Sequence, residues 1–294
     1  MDSAEDTVTG GLDPALPEGP SVPLIFDAHL DLSLNAIDYN RDLRLSLDEI
    51  RNGEQGMVDL WGRGAGVVCF PEMRRGGISL CVATLIAGCM KPGAVGAGWN
   101  SPEQAWAQTQ AQLAWYRAME AVGEMEAIVD RASLERVVGR CKTGDGTGSI
   151  GYVLSLEGAD SILTPGHLEV AHAEGLRALG PAHYGIGRYA RGHDQDGPLT
   201  PVGRELLLEM DRLGFILDAT HLCDQTFYQA LDVFEGPVWA SHSNCRALVN
   251  DPRQFSDEQI RLLIERDSVI GGALDAWMIV PNWVRQCSTP EEMG

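Results

Sequence analysis

Residues 25–33 read I-F-D-A-H-L-D-L-S. Leu24, Ile25 and Phe26 open the stretch as a buried strand would. Asp27, His29 and Asp31 then follow at intervals of two. Side chains alternate along a strand, so this spacing turns all three to one face. Two carboxylates and an imidazole at the end of an apolar strand are costly to bury without partners. A hydrogen-bonded polar knot and a metal ion both meet that cost, and this stretch alone leaves both open.

Further strand patterns follow at 77–87, 149–157, 176–182, 214–220, 237–242 and 268–274, making seven with 24–29. Helical patterns lie between them, with clear punctuation. Ser101-Pro102-Glu103-Gln104 offers an N-cap, a first-turn proline and a glutamine spaced for a capping box. Thr200-Pro201 opens a helix whose Val202, Leu206, Met210 and Leu213 share a face and which Gly214 stops. Asp224 is placed to cap the next helix, ended by Gly236, and Ser256 to Gln259 form another capping box. Continuous apolar strands alternating with helices predict a parallel sheet covered by helices. No G-x-G-x-x-G follows the first strand and no phosphate-loop motif occurs, which counts against a nucleotide-binding doubly wound fold. Polar residues recur at strand C-terminal ends, where a (β/α)₈ TIM-like barrel places its chemistry.

Those ends carry His29 and Asp31, Glu157 (L-S-L-E-G-A-D), His183 (G-P-A-H-Y-G), His221 (L-D-A-T-H-L) and His242 (W-A-S-H-S-N). One histidine at a strand end is usually structural. Four around one barrel mouth, with carboxylates among them, form a ligand set for a divalent ion such as Zn²⁺ or Mn²⁺. His29, Asp31, Glu157, His221 and His242 suffice for two ions if one carboxylate bridges, and two ions can share and acidify a water. Asp27 is assigned a supporting role, bonding backbone or a ligand histidine.

The 294 residues suit one large α/β domain. Residues 1–22, rich in Gly, Pro and acids, are expected to form a flexible tail ahead of a hydrolase domain over 23–294. Asp and Glu outnumber Lys and Arg by 42 to 22, and the net charge of −20 argues against nucleic acid or an anionic membrane as partner. The seven cysteines include no C-x-x-C pair and read as free thiols of a reducing compartment. No signal peptide and no spanning apolar run are visible, so a cytoplasmic location is the expectation.

The five motifs D-A-H-L-D-L, S-L-E-G-A-D, G-P-A-H-Y-G, D-A-T-H-L and S-H-S-N-C-R-A-L occur in that order. Together they resemble the membrane dipeptidase (renal dipeptidase) family of the amidohydrolase superfamily, from about residue 24 onward. The resemblance implies a distorted (β/α)₈ barrel with two Zn²⁺ ions, for which Mn²⁺ or Co²⁺ are substitutes. It implies hydrolysis of dipeptides, including those with a D-residue at the C-terminal position, by a metal-bridging hydroxide. One zinc would take His29 and Asp31, the other His221 and His242, and Glu157 would bridge them. His183 would bind substrate and hold the oxyanion. Arg253, eleven residues after His242 in D-P-R-Q-F, would pair with the dipeptide's carboxylate. Arg246 fits that pattern less well and is assigned a structural salt bridge. A homodimer is the default expectation for such a barrel.

One departure stands out. The family's eighth strand, with its aspartate, has no counterpart before Gly294, and Asp275 does not occupy that position. The expectation is a truncated version of a longer protein whose barrel exposes two sheet edges. Two rivals remain. Another amidohydrolase, such as a lactonase or cyclic amidase, would usually begin H-x-H on strand one and use a bridging lysine, whereas this chain has H-x-D and Glu157. A non-catalytic barrel scaffold is the other.

Overall fold

The structure is a computed structural model that describes residues 24–90, 98–143 and 148–283. The expected tail at 1–22 lies outside them. Eight strands form one parallel sheet: β1 (Ile25–Leu30), β2 (Ile78–Leu85), β3 (Met125–Ala127), β4 (Ile150–Glu157), β5 (Leu176–Gly180), β6 (Ile216–Asp218), β7 (Val238–Ala240) and β8 (Val269–Ile270). The order is β1-β2-β4-β5-β6-β7-β8, so each strand of this path lies beside the next one in the chain or skips only β3. All seven expected strands are present. β3 is the addition: it pairs with the first half of β4, Met125 against Ile150, and β5 takes over that side from Leu154. M-E-A is too short and too poor in β-branched residues to announce itself.

The sheet curls into a half-barrel. β2 and β4 are its centre and are buried along nearly their whole length. Tyr116 of helix 102–121 packs there against Tyr152, ring centroids 5.2 Å apart. Leu206, Leu207 and Met210 of helix 201–213 are fully buried, with Val202 and Leu213 packed at the margin. Pairing ends at β1 on one side and β8 on the other among the described residues. Ile25, Phe26 and Val269 are consequently exposed, although their side chains are apolar. A cleft of about 510 Å³ lies between these two edges, lined by Phe26, Asp27 and His29 on one wall and Gly271, Gly272 and Leu274 on the other.

Helix ends follow the expected punctuation with two corrections. Thr200 accepts from Gly203 N, Gly214 adopts φ 76° at the helix end, and Ser256 with Gln259 makes a full capping box. Ser101 caps Gln104 N, but the Gln104 side chain reaches past the cap to Asn100 N, so no reciprocal box forms. Asp224 is the first helical residue rather than the cap, which is Cys223, and that helix ends at Val233. The Asp224 carboxylate is drawn away by Arg246, which grips both oxygens at 2.7 Å, the structural ion pair assigned to Arg246. Cys69, Cys81, Cys89, Cys141, Cys223 and Cys245 are free thiols, while Cys287 lies outside the described residues.

Candidate metal centre

The mouth at the C-terminal ends of the strands gathers residues from across the chain. β1 is irregular between Asp27 and Leu30 and stops there. Asp31 is therefore not the next same-face residue of a strand, as the spacing suggested. It sits at the N-cap of helix 32–37. Its carboxylate accepts from Thr84 Oγ1 of β2 and lies 3.5 Å from His29 Nε2. Asp27 turns back on its own backbone and accepts from His29 N at 3.1 Å.

Glu157, the last residue of β4, is the hub. Its Oε1 lies 2.9 Å from His221 Nε2, 3.3 Å from His242 Nε2 and 3.8 Å from His183 Nε2. Its Oε2 lies 3.6 Å from His29 Nε2. Burial works against its charge, but His29, His221, His242 and His183 together hold this carboxyl well below the usual range. Burial likewise opposes charge on His29, yet Glu157 and then Asp31 outweigh it and raise that imidazole to about 9. For His221 and His242 burial prevails over Glu157, and both are lowered.

His221 is set in the β6 turn at φ 69°, a left-handed conformation that a non-glycine side chain rarely adopts. The strain is held by a built surround, since Asp218 accepts from Thr220 N and from Ser241 N across to β7. Two residues the sequence did not single out complete the shell. His193 Nδ1 lies 3.3 Å from His221 Nδ1, and Ser241 Oγ lies 2.9 Å from His242 Nδ1. Burial, then the Arg253 guanidinium, pull His193 down to about 4, so it is neutral. Its irregular loop carries no periodic signal, and a serine beside a histidine is an ordinary dipeptide, so neither could be picked from sequence.

His183 stands at the rim, its ring 4.6 Å from that of His221 and capped by Tyr184 at 4.8 Å. Arg253 is only 4% exposed and is oriented by His242 O at 2.8 Å and Ser243 Oγ at 3.4 Å. No carboxylate lies within ion-pair distance of it among the described residues. A buried guanidinium without a counter-ion is unusual, and burial lowers its pKa.

The donor set fits a cation. His221 Nε2 and His242 Nε2 lie 3.1 Å apart, an arrangement in which two lone pairs must share a proton or face a positive ion. Among the described residues two triads fall within ligating range: His29, Glu157 and His242, and Glu157, His183 and His221. Glu157 belongs to both, as a bridging carboxylate would. Asp31 stands outside them, and the triads divide the histidines differently from the expected pairs.

Fold and site thus define an α/β half-barrel of the TIM-like kind with a candidate metal centre at its mouth. The chain matches the membrane dipeptidase family (peptidase family M19) over residues 22–280 and belongs to it, and as a metallopeptidase family it implies a metal cofactor. Dipeptidase tcpJ of Claviceps purpurea is 31% identical over 136 residues, 44% of this chain and 32% of that protein. A solved metallopeptidase described as dipeptidase AC matches with TM-score 0.65 and 26% identity, over 86% of this chain and 72% of that one. A metallopeptidase of Rhodobacter sphaeroides, solved with a phosphinate mimic of L-Ala-D-Ala, shares the fold with TM-score 0.68 at 24% identity, over 87% and 75% of the two chains. The matched stretches span 18% to 47% of the length of the first curated relatives.

Proposed function

We propose that this chain carries the dinuclear zinc site of a dipeptidase that hydrolyses dipeptides, L-D dipeptides among them, to free amino acids. The observation that carries the reading is the convergence of four imidazole Nε2 atoms on the two oxygens of Glu157. His29, Asp31, Glu157, His221 and His242 would hold the ions, with Glu157 between them. Two bound divalent ions supply a water of lowered pKa and polarise the scissile carbonyl.

The chain's own side chains do the rest. Arg253, buried and lacking a carboxylate partner among the described residues, offers the substrate carboxylate a fixed charge-assisted contact. That contact selects a free C-terminus close to the scissile bond, which is what separates a dipeptide from a longer peptide. His183, one-third exposed at the rim, can donate from Nε2 to the carbonyl oxygen as negative charge develops there. The cytoplasm as the location rests on the free thiols at the six described cysteines.

Two measurements test this reading. Metal analysis of the purified protein should find two zinc ions per chain, lost on His221→Ala or His242→Ala. A panel of L-L and L-D dipeptides should then release amino acids, and Arg253→Ala should raise KM sharply for dipeptides. A folded, metal-free protein overturns the reading. Bound zinc without hydrolysis would favour a sister amidohydrolase or a scaffold.

A further inference from the structure

We propose that Ser241 is a positioning residue shared by two ligands of the metal centre, its one hydroxyl oxygen accepting Nδ1–H from His29 and from His242 at once. The inference rests on the metal-site reading above, in which both histidines are ligands. The Nε2 atoms of both histidines face Glu157, so these are the ligating nitrogens. A neutral imidazole that ligates through Nε2 carries its proton on Nδ1. Both rings are largely buried, and a buried N–H needs an acceptor.

Ser241 Oγ lies 2.9 Å from His242 Nδ1 and 3.4 Å from His29 Nδ1. Its third neighbour is Thr220 Oγ1 at 3.4 Å. A hydroxyl has two acceptor lone pairs and one proton. Two imidazole N–H groups and one hydroxyl acceptor use that capacity in full. The serine is itself fixed: it is 3% exposed, and its backbone N–H is held by Asp218 at 3.1 Å. Its carbonyl lies against Gly271, where an added Cβ would come within 2.0 Å of it, so the β8 end allows no retreat. One side chain at the end of β7 thereby sets the tautomer and tilt of a ligand on β1 and of another on its own strand. His221 is oriented separately, by His193. The β1 and β7 histidines are thus joined through Ser241 as well as through Glu157.

Zinc affinities of the full chain and of its Ser241→Ala and Ser241→Thr variants, by competition with a chromophoric chelator, test the proposal. Circular dichroism of the metal-free proteins controls for folding. Loss of such an outer partner weakens a metal site by about 10–100-fold. The expected result is a loss of that size in zinc affinity in Ser241→Ala and near-parental affinity in Ser241→Thr, which keeps the hydroxyl. In ¹⁵N–¹H spectra of the zinc-loaded protein, two exchange-protected imidazole N–H signals should be present in the parent and in Ser241→Thr and lost in Ser241→Ala. Should Ser241→Ala fail to fold, Ser241→Cys, similar in size with a poor acceptor, carries the same expectation. Unchanged affinity, or loss of only one of the two imidazole N–H signals, would overturn the shared role while the metal-site reading stands. A parent protein that binds no zinc overturns that reading and the shared role with it.

Discussion

The centre is built from atoms whose protonation states oppose one another. Raised to about 9 by Glu157 and Asp31 against the pull of burial, His29 is an imidazolium at neutral pH when no metal is bound. A metal ion that ligates through this imidazole must expel that proton. Binding at pH 7 should therefore release a proton from His29, and affinity should fall roughly tenfold for each pH unit below about 9 from this group alone. Calorimetry in two buffers of different ionisation enthalpy reads the proton count, and a pH-independent affinity would contradict the assignment. At His193 the prediction is narrower. Where two ions bind, His193→Phe removes the acceptor for His221 Nδ1 and should weaken the ion held by His221 about 10–100-fold, leaving the other close to its parental value in the same chelator competition.

A second buried ionic group lies behind Asp31. Asn35 donates to Asp31 O, and Arg41 reaches Asn35 Oδ1 while pairing with Glu54, which Arg63 and Gly64 N also contact. The bond to Arg41, with help from Gly64 N and Arg63 and against burial, holds Glu54 down at about 2. A carboxyl depressed below its unfolded value of about 4.5 contributes stability that is fully present above that pH and is lost as pH falls through about 2. Denaturant midpoints between pH 5 and 2 should decline in the parent, and Glu54→Gln should flatten that decline while lowering the plateau.

Among the elements, the helices show what punctuation does and does not specify. Gly203 in the first turn and Gly214 at the C-terminal end serve the same helix for different reasons. Gly214 sits at φ 76° with open space around it, so Gly214→Ala meets only backbone strain, about 1 kcal/mol. Gly203 is in the first turn, and a Cβ there would lie 2.0 Å from Tyr189 O, a backbone atom that cannot swing aside. Gly203→Ala should cost more, about 1–3 kcal/mol, because the helix must lift off the loop that carries Tyr189. Thermal unfolding of the two variants checks the order. Capping residues at Thr200 and Ser256 were readable because the partner is three residues away. Asp224 was misread because its carboxylate answers to Arg246, twenty-two residues on, and Gln104 because Asn100 N competes for it.

For the molecule as a whole, the site staples distant parts of the sheet. Its histidines and Glu157 come from the ends of β1, β4, β6 and β7 and from the loop after β5. An ion that binds this folded arrangement and not the unfolded chain raises stability by mass action. A strong chelator should lower Tm without loss of far-ultraviolet helix signal, and the chelator effect should vanish in His221→Ala. A Tm indifferent to chelator in the parent would count against a metal that spans the strands. His29 and His242 both line the cleft between β1 and β8, and among the described residues the sheet offers no ladder partner there. The metal ligands, rather than strand pairing, are what would tie those edges together.

The chain by itself determined the parallel sheet, its seven principal strands and the polar residues at their ends. That information is local: apolar runs, caps and periodicity act over a few residues, and each strand end can be read where it stands. Only the tertiary structure decided which of those ends meet, and at what distance. It separated Asp27 from Asp31 by ending β1 at Leu30, and it set Arg253 in the interior without a carboxylate partner among the described residues. Ser241, His193 and Thr84 entered the site only there as well. Their roles depend on contacts across 28 to 212 positions of sequence, created by the curl of the sheet, and no local pattern encodes such contacts.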